Sequence, residues 1–493
     1  MTTTLIISDS AANELRIALG AAPAPAPTPT PPPAPSESPL GATATAGVGS
    51  VTDYLGHTWV IDAGLTSDGF HIVKRDGAVT GSTATMLYWS HPTLYVQGGR
   101  TFPQWWAMDV AALTSVQCPD PRPVPAPAPS PTPTTISLLS GECSTIAPTG
   151  NTISDMLVVL NPRSQLSDYE PSGPKWVGLF AGLNGVQSKA PHIRVPLTDW
   201  LAGTSANRPM YSYTPSLPST WVPFDTVTNA NSVLEFWNSV GFAMPQVWIA
   251  FQPCWRPSDM LAYIATPLAG AVRAPDVLTA PTSDELGRAV PALPIASLHV
   301  ASGGTRVVNI VAGLHAYEHL GPLSWRGLYE WLVSTDPKAA LARSAFDFRM
   351  APLVNAAGFT AGYWRGEPGN TLDTNRHWLT GPASDCVTKI KPVLAPSCSV
   401  WLDFHSNNNA EGTSCYVGGA LAADFQSALS MYAPATTYLP NITESSGDYG
   451  LSIGARLAVT AEISWANVSA QTCYNWGANI GRALVDLFVA GKL

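Results

Sequence analysis

The chain has 493 residues, too many for one hydrophobic core, and on a prior of roughly 100 to 200 residues per domain it divides into several. Hydrophobic residues make up 45% and charged residues only 12%, against ~25% in ordinary soluble domains, so the surface must rest largely on Ser, Thr, Asn, Ala and Gly. A net charge of −9 with 25 Lys and Arg and no basic run excludes a nucleic-acid footprint, and no apolar run approaches the ~20 residues of a membrane helix.

The N-terminus lacks a basic region ahead of a long apolar one, so a soluble chain without a secretory signal is expected. Within residues 1–20, "SDSAANELRIALG" has the caps of one short helix, too short to be stable alone, and reads as a frayed end or a docking peptide. Two proline-rich stretches, 21–39 and 119–135, are predicted to be extended, semi-rigid spacers, because proline fixes φ and removes a donor.

Between the spacers, 40–118 reads as a small all-β module of short strands ("HTWVI", "GFHIVKR", "TATMLYWS", "TLYVQ", "QWWAMD") parted by Asp-Gly and Gly-Gly turns. Its Trp59, Trp89, Trp105, Trp106 and Tyr95 suit either a small core or a glycan-stacking face. The module bears a weak resemblance to Trp-rich accessory modules of phage tail and cell-surface proteins. That resemblance implies attachment to a surface or virion, with the N-terminal peptide meeting a tail partner; the layout otherwise fits a cytoplasmic protein.

Residues 136–252 again run in strands ("MLVVLN", "WVGLFAGL", "HIRVPL", "VLEFW", "QVWIAF") with Gly, Pro and Asn turns, the pattern of a β-sandwich. From 253 to 493, strands alternate with helix-like segments, which predicts an α/β domain with a mixed, mainly parallel sheet flanked by helices. The seven cysteines are scattered, with no CxxC pair; they predict neither a disulfide scaffold nor a cysteine-based zinc site, and leave room for one bridge such as Cys386 to Cys398.

Chemistry concentrates in "RVVNIVAGLHAYEHLGPL". Metal-assisted hydrolysis needs imidazoles and carboxylates converging on one point with a coordination position left open. His315, Glu318 and His319 admit two wirings. In one, both histidines of HxxEH bind the metal from a helix and Glu318 is the base. In the other, His315 and Glu318 are ligands on a loop after a strand, and a third ligand comes from elsewhere. The β-branched run before His315 and the Gly-Pro after His319 favour the second, since proline fits a helix interior poorly and open α/β sheets place ligands at strand carboxyl ends. "SVWLDFHSNNN" supplies another such strand end, with His405 as the third ligand and Asp403 on the same face to orient its ring. Zinc is the metal this donor set predicts.

The ordered set HxxE, Asn355-Ala-Ala-Gly358, a single Arg365, Asp373-Thr-Asn-Arg376-x-Trp, Asp403-x-His-Ser and Glu462 in an apolar strand resembles the zinc metallocarboxypeptidase family. The family has Asn-Pro-Asp-Gly and Asp-Leu-Asn-Arg at two of these places; the departures leave the Asn-Arg pair intact. "GTSANRPMYSYTPSLPSTWVPF" and "VWIAFQPCWRPSDMLAYI" further resemble the N-terminal domain of cytosolic carboxypeptidases, so that the likeness spans 135–493. It implies a hydrolase that removes C-terminal residues from peptides: His315, Glu318 and His405 hold zinc, Arg365 polarises the scissile carbonyl, Asn375 and Arg376 grip the terminal carboxylate, and Glu462 is general base and acid. It also implies a catalytic tyrosine before Glu462, where spacing favours Tyr438 over Tyr449, and a side-chain pocket lined by Asp448. An amide deacylase, a peptidoglycan stem-peptide hydrolase and an inactive structural or receptor-binding scaffold are the alternatives on the same fold.

Overall fold

The computed structural model describes most of 135–493, apart from 166–174 other than Asp168, 197–207, 408–411 and scattered single or paired positions, together with strand segments between 43 and 118. The expected N-terminal helix and both spacers, apart from Thr135, lie outside the described residues. The chain forms two compact units, 1–130 and 131–493.

In the first unit the described strands form a five-stranded and a four-stranded sheet. Trp59 is fully buried in that unit's core, with the Arg75 guanidinium 5.7 Å from its ring centre, so it is not a stacking face for sugar. The side chains of Trp89, Trp105, Trp106 and Tyr95 lie outside the described residues.

In the second unit, residues 136–252 build two five-stranded sheets. One holds Phe180–Asn184 and Gln246–Ala250 side by side; the other holds His192–Pro196 next to Val233–Trp237. Burial alternates along Val233–Trp237, and the inward residues Ile193, Val195, Leu234, Phe236, Val247 and Ile249 belong to a core that runs on into the following α/β part.

That part is built on one eight-stranded mixed sheet. Its strands are β1 (Val272–Leu278), β2 (Pro294–Ala301), β3 (Arg306–Ala312), β4 (Phe346–Ala351), β5 (Val400–Asn407), β6 (Ser414–Gly418), β7 (Thr437–Pro440) and β8 (Leu457–Ser464), in the order β1-β2-β4-β3-β5-β8-β6-β7. The central β4, β3, β5 and β8 are mutually parallel, with antiparallel pairs towards both edges. Parallel strands must be covered on both faces, which is why β5 is buried at every position. Alternate residues sort to two layers: Ile310, Leu402 and Val459 face one core, Val311, Trp401 and Ala458 the other.

The helices are α1 (Pro257–Ala265), α2 (Leu320–Leu332), α3 (Pro337–Ala345), α4 (Ala356–Ala361), α5 (Asp385–Ile390), α6 (Ala422–Ser430), α7 (Ser446–Ser452) and α8 (Ala470–Val489). α2 and α8 approach so closely that a Cβ on Gly477 would lie 1.8 Å from Ser324 O. One expectation is corrected here, and one open pairing is closed. Gly321 and Pro322 lie inside α2, in its first turn, where the missing N–H of proline has no intrahelical partner to lose. Cys386 and Cys398 form no bridge: both are free thiols, buried in the layer of Trp378 and Trp401.

Candidate metal centre

β3 ends at Ala312, and Gly313 (φ 65°) turns the chain into a loop carrying His315, Tyr317 and Glu318 before α2 begins at Leu320. β5, the neighbour of β3, delivers His405 near its own carboxyl end. The Glu318 carboxylate sits between the two rings: His315 Nδ1 is 2.8 Å from Oε1 and His405 Nδ1 2.6 Å from Oε2, with ring centres 4.7 Å apart. Ser406 N–H donates to the same Oε2 at 3.0 Å. Three donor atoms of His315, Glu318 and His405 lie within 4.8 Å of one another, the one such group among the described residues that could hold an ion.

Each ring is held from outside by a second carboxylate. His315 Nε2 is 2.9 Å from Asp373 Oδ1, and His405 Nε2 is 3.0 Å from Asp403 Oδ2. A proton on each outer nitrogen leaves each Nδ1 lone pair facing the gap, the arrangement that presents imidazole to a metal. Asp403 was legible from the sequence as an orienting group. Asp373 was not singled out for that role, although it sits two places before Asn375.

The charges follow from this packing. Burial alone would raise the Glu318 pKa, but the His315 and His405 rings hold it well below the usual carboxylate range. Burial opposes charging His405, yet Asp403 and Glu318 push its pKa well above the ordinary value. Asp373 is likewise held low, against burial, by His315 and Arg365.

Glu462 stands beside His405 in the β5/β8 register and on the same face. Burial, then the charge of Glu318, push its pKa up to about 8, and its Oε2 is buried without a hydrogen-bond partner. Arg365 Nη1 donates to Asp373 Oδ2 at 3.0 Å and lies 3.3 Å from His315 Nε2. Asn375 Oδ1 accepts from Ser446 N–H at 2.9 Å, which sets the amide plane and leaves Nδ2 2.9 Å from His405 Nε2. Arg376 follows, with Nη1 donating to Asn375 O at 2.8 Å. Asp448 is in the first turn of α7, on the same turn as Ser446, and its Oδ2 accepts from Glu444 N–H at 3.1 Å.

Three sequence-level candidates stand elsewhere. Tyr438 is on the edge strand β7, paired with Cys415 and hence on the opposite face from Glu462; its hydroxyl donates to Gln426 O at 3.2 Å and contacts Ser430 Oγ at 3.1 Å, both on α6. Tyr449 packs its ring on Trp378 and Trp401 at 5.6 and 5.5 Å. His319, the ligand of the alternative wiring, stacks on Phe180 and meets Phe359, with Nδ1 3.4 Å from Trp255 O, and burial lowers its pKa to about 4. Tyr317, one of two residues between His315 and Glu318, is 7% exposed, its ring beside those of His315 and Trp465; nothing in its sequence position marked it beyond lying inside HxxE.

Two imidazoles and one carboxylate converging with a neighbouring orphaned carboxylate oxygen fit a zinc ion with one position left for water.

No family model matches the chain. Cytosolic carboxypeptidase 2 of Danio rerio is 28% identical over 117 residues, 22% of this chain; the match spans only 16% of that relative's length. The metallo-carboxypeptidase of Burkholderia cenocepacia superposes with a TM-score of 0.59 at 16% identity, covering 73% of this chain and 100% of that one. The metallo-carboxypeptidase of Pseudomonas aeruginosa, solved with (2-guanidinoethylmercapto)succinic acid, gives 0.56 at 14% identity over 72% and 99%. The chain therefore carries the metallo-carboxypeptidase fold.

Proposed function

We infer that this protein is a zinc-dependent carboxypeptidase, with the metal held by His315, Glu318 and His405. The observation that carries the reading is the meeting of both imidazole Nδ1 atoms and the Glu318 carboxylate beside an unpartnered Glu462 oxygen. Zinc, when bound, supplies Lewis acidity and an acidified water at neutral pH.

The chain's own residues do the rest. Asn375 and Arg376 hold the substrate's terminal carboxylate, for which a guanidinium fork is geometrically suited. Arg365, kept charged by Asp373 and Glu318 in spite of its burial, faces the scissile carbonyl and stabilises negative charge as it develops there. Glu462, beside His405 and with a buried oxygen left without a partner, takes a proton from the attacking water and returns it to the departing amine.

The side-chain preference at the cleaved end follows from the acceptors around α7. Asp448 stands in its first turn, and Asp403 Oδ1, Thr460 Oγ1 and Asn441 Oδ1 are buried without partners nearby. A basic terminal residue matches that surplus of acceptors. The β-sandwich reading of 136–252, and the tethering of the catalytic part through proline spacers to a surface-bound module, belong to this proposal and are supported by strand pattern and composition. Metal analysis of purified protein together with a peptide library varied at the last residue tests the reading: zinc near one per chain and release of C-terminal Lys or Arg are expected. A metal-free, inert protein would favour the structural-scaffold alternative, and cleavage of acylated amino acids or stem peptides alone would favour the deacylase or stem-peptide alternative.

A further inference from the structure

The turn that carries Asn375 and Arg376 is braced from two sides. On the inside, Thr374 Oγ1 donates to Leu314 O at 2.6 Å, tying the turn to the loop that holds His315, and Asn375 N–H donates to Asp373 Oδ1 at 2.8 Å. On the outside, the contact comes from about two hundred residues earlier. Asp168, in the β-rich segment before the catalytic sheet, accepts from Asp373 N–H through Oδ1 at 2.8 Å and meets His377 Nε2 through Oδ2; its own N–H donates to Thr371 O at 3.0 Å. One residue thus reaches 371, 373 and 377 and spans the turn from before to after the Asn-Arg pair.

The backbone shows why a brace is needed. His377 has φ 58°, a left-handed conformation that a side chain with a Cβ adopts at a cost, and such a residue persists only where its surroundings fix it. Its ring is fixed by Asp168. Arg376 directly precedes it, so the direction of the Arg376 side chain depends on the chain keeping that conformation. Asp373, the other end of the grip, touches both Arg365 and His315.

We propose that Asp168 is a positioning residue for the carboxypeptidase site, supplied by the segment outside the catalytic sheet: its carboxylate sets the turn 373–377 and thereby the aim of Asn375 and Arg376. The grip itself is independent of function; what the turn binds rests on the reading above.

The test uses the zinc-loaded full chain with Asp168→Ala and Asp168→Asn, followed by three measurements. Asp168→Ala should raise KM for a peptide with a free terminal carboxylate by ~10-fold or more while kcat moves less than ~3-fold, since misplacing a binding group by about an ångström costs this order. It should weaken binding of (2-guanidinoethylmercapto)succinic acid, read by calorimetry, by a similar factor. It should also speed tryptic cleavage after Arg376, with zinc content and Tm held. Asp168→Asn should restore most of each, because the amide oxygen still accepts from Asp373 N–H and the amide N–H can donate to a neutral imidazole. Values for Asp168→Ala within twofold of the parent in all three would overturn the proposal, as would loss of zinc or a collapsed Tm, which would make Asp168 a general structural support. If the parent chain hydrolyses no peptide, the carboxypeptidase reading fails by itself, and the tryptic rate at Arg376 still decides the role of Asp168.

Discussion

A carboxylate held between two imidazoles and away from water is costly unless the charges are shared, and at Glu318 the sharing is done by rings that are themselves pinned by Asp373 and Asp403. The array is preorganised for a cation, and its two histidines do not contribute interchangeably with their neighbour His319. His405→Ala should abolish stoichiometric zinc binding, while His319→Ala should leave zinc at about one per chain and reduce stability instead, since it removes a ring packed between Phe180 and Phe359. Atomic absorption on the two purified variants checks this, and zinc retained in His405→Ala would refute the assignment. In the proposed mechanism Glu462 has a separate role. Glu462→Gln keeps the shape and removes the proton acceptor, so kcat should fall by ~10²–10⁴ with zinc content unchanged. Peptide hydrolysis at parental rates would take Glu462 out of the mechanism.

Among elements, the decisive contact is the first turn of α2 against β5. A Cβ on Gly321 would lie 2.4 Å from Phe404 O and 3.2 Å from His405 Cα, so only glycine lets the helix start this close to the strand that carries His405. Glu318 stands three residues before Gly321, and Glu318 O accepts from Gly321 N–H at 3.2 Å. Gly321→Ala should therefore push Glu318 and His405 apart, lowering zinc affinity by ~10-fold or more and stability by ~1–3 kcal/mol, the usual cost of overpacking; competition against a chelator and urea unfolding measure the two. Much of this level was legible beforehand. The runs before His315 and His405 are apolar at nearly every position, as fully covered parallel strands must be, and the polar residue ending each run marked the site. What escaped was set by tertiary packing. Gly321 and Pro322 read as a helix breaker because the sequence does not say that a first turn forgives proline. Tyr438 looked well spaced before Glu462, but spacing does not reveal register, and on an edge strand a shift of one residue moves a side chain to the other face. The grip of Asp168 on the turn around Asn375 joins positions too distant in sequence for any local pattern to connect.

Across the second unit as a whole, the same buried charges make stability, metal and pH one linked problem. In the metal-free protein burial and the Glu318 charge push the Glu462 pKa up to about 8, against 4.5 for an ordinary glutamate, and Asp403 and Glu318 raise that of His405. His405 and Glu462 therefore hold more protons in the folded state than in the unfolded one, whereas His319, lowered by burial to about 4, holds fewer below the ordinary histidine range; from about pH 6 to 8 the excess wins and stability must fall as pH rises. Glu318 works in the opposite sense, but its contribution is lost only in acid, below the range where ordinary glutamates titrate. Zinc reverses the dependence, because the imidazoles must be deprotonated to bind it and a cation favours an ionised Glu462. The metal-free chain should lose several degrees of Tm between pH 6 and 8. The zinc-loaded chain should gain stability over the same interval, and calorimetric titration in buffers of differing ionisation heat should show protons released as zinc binds. A metal-free Tm that rises across this window, or zinc uptake without proton release, would mean that His405 and Glu462 do not carry the excess protons and that the charge arrangement described for this centre is incorrect.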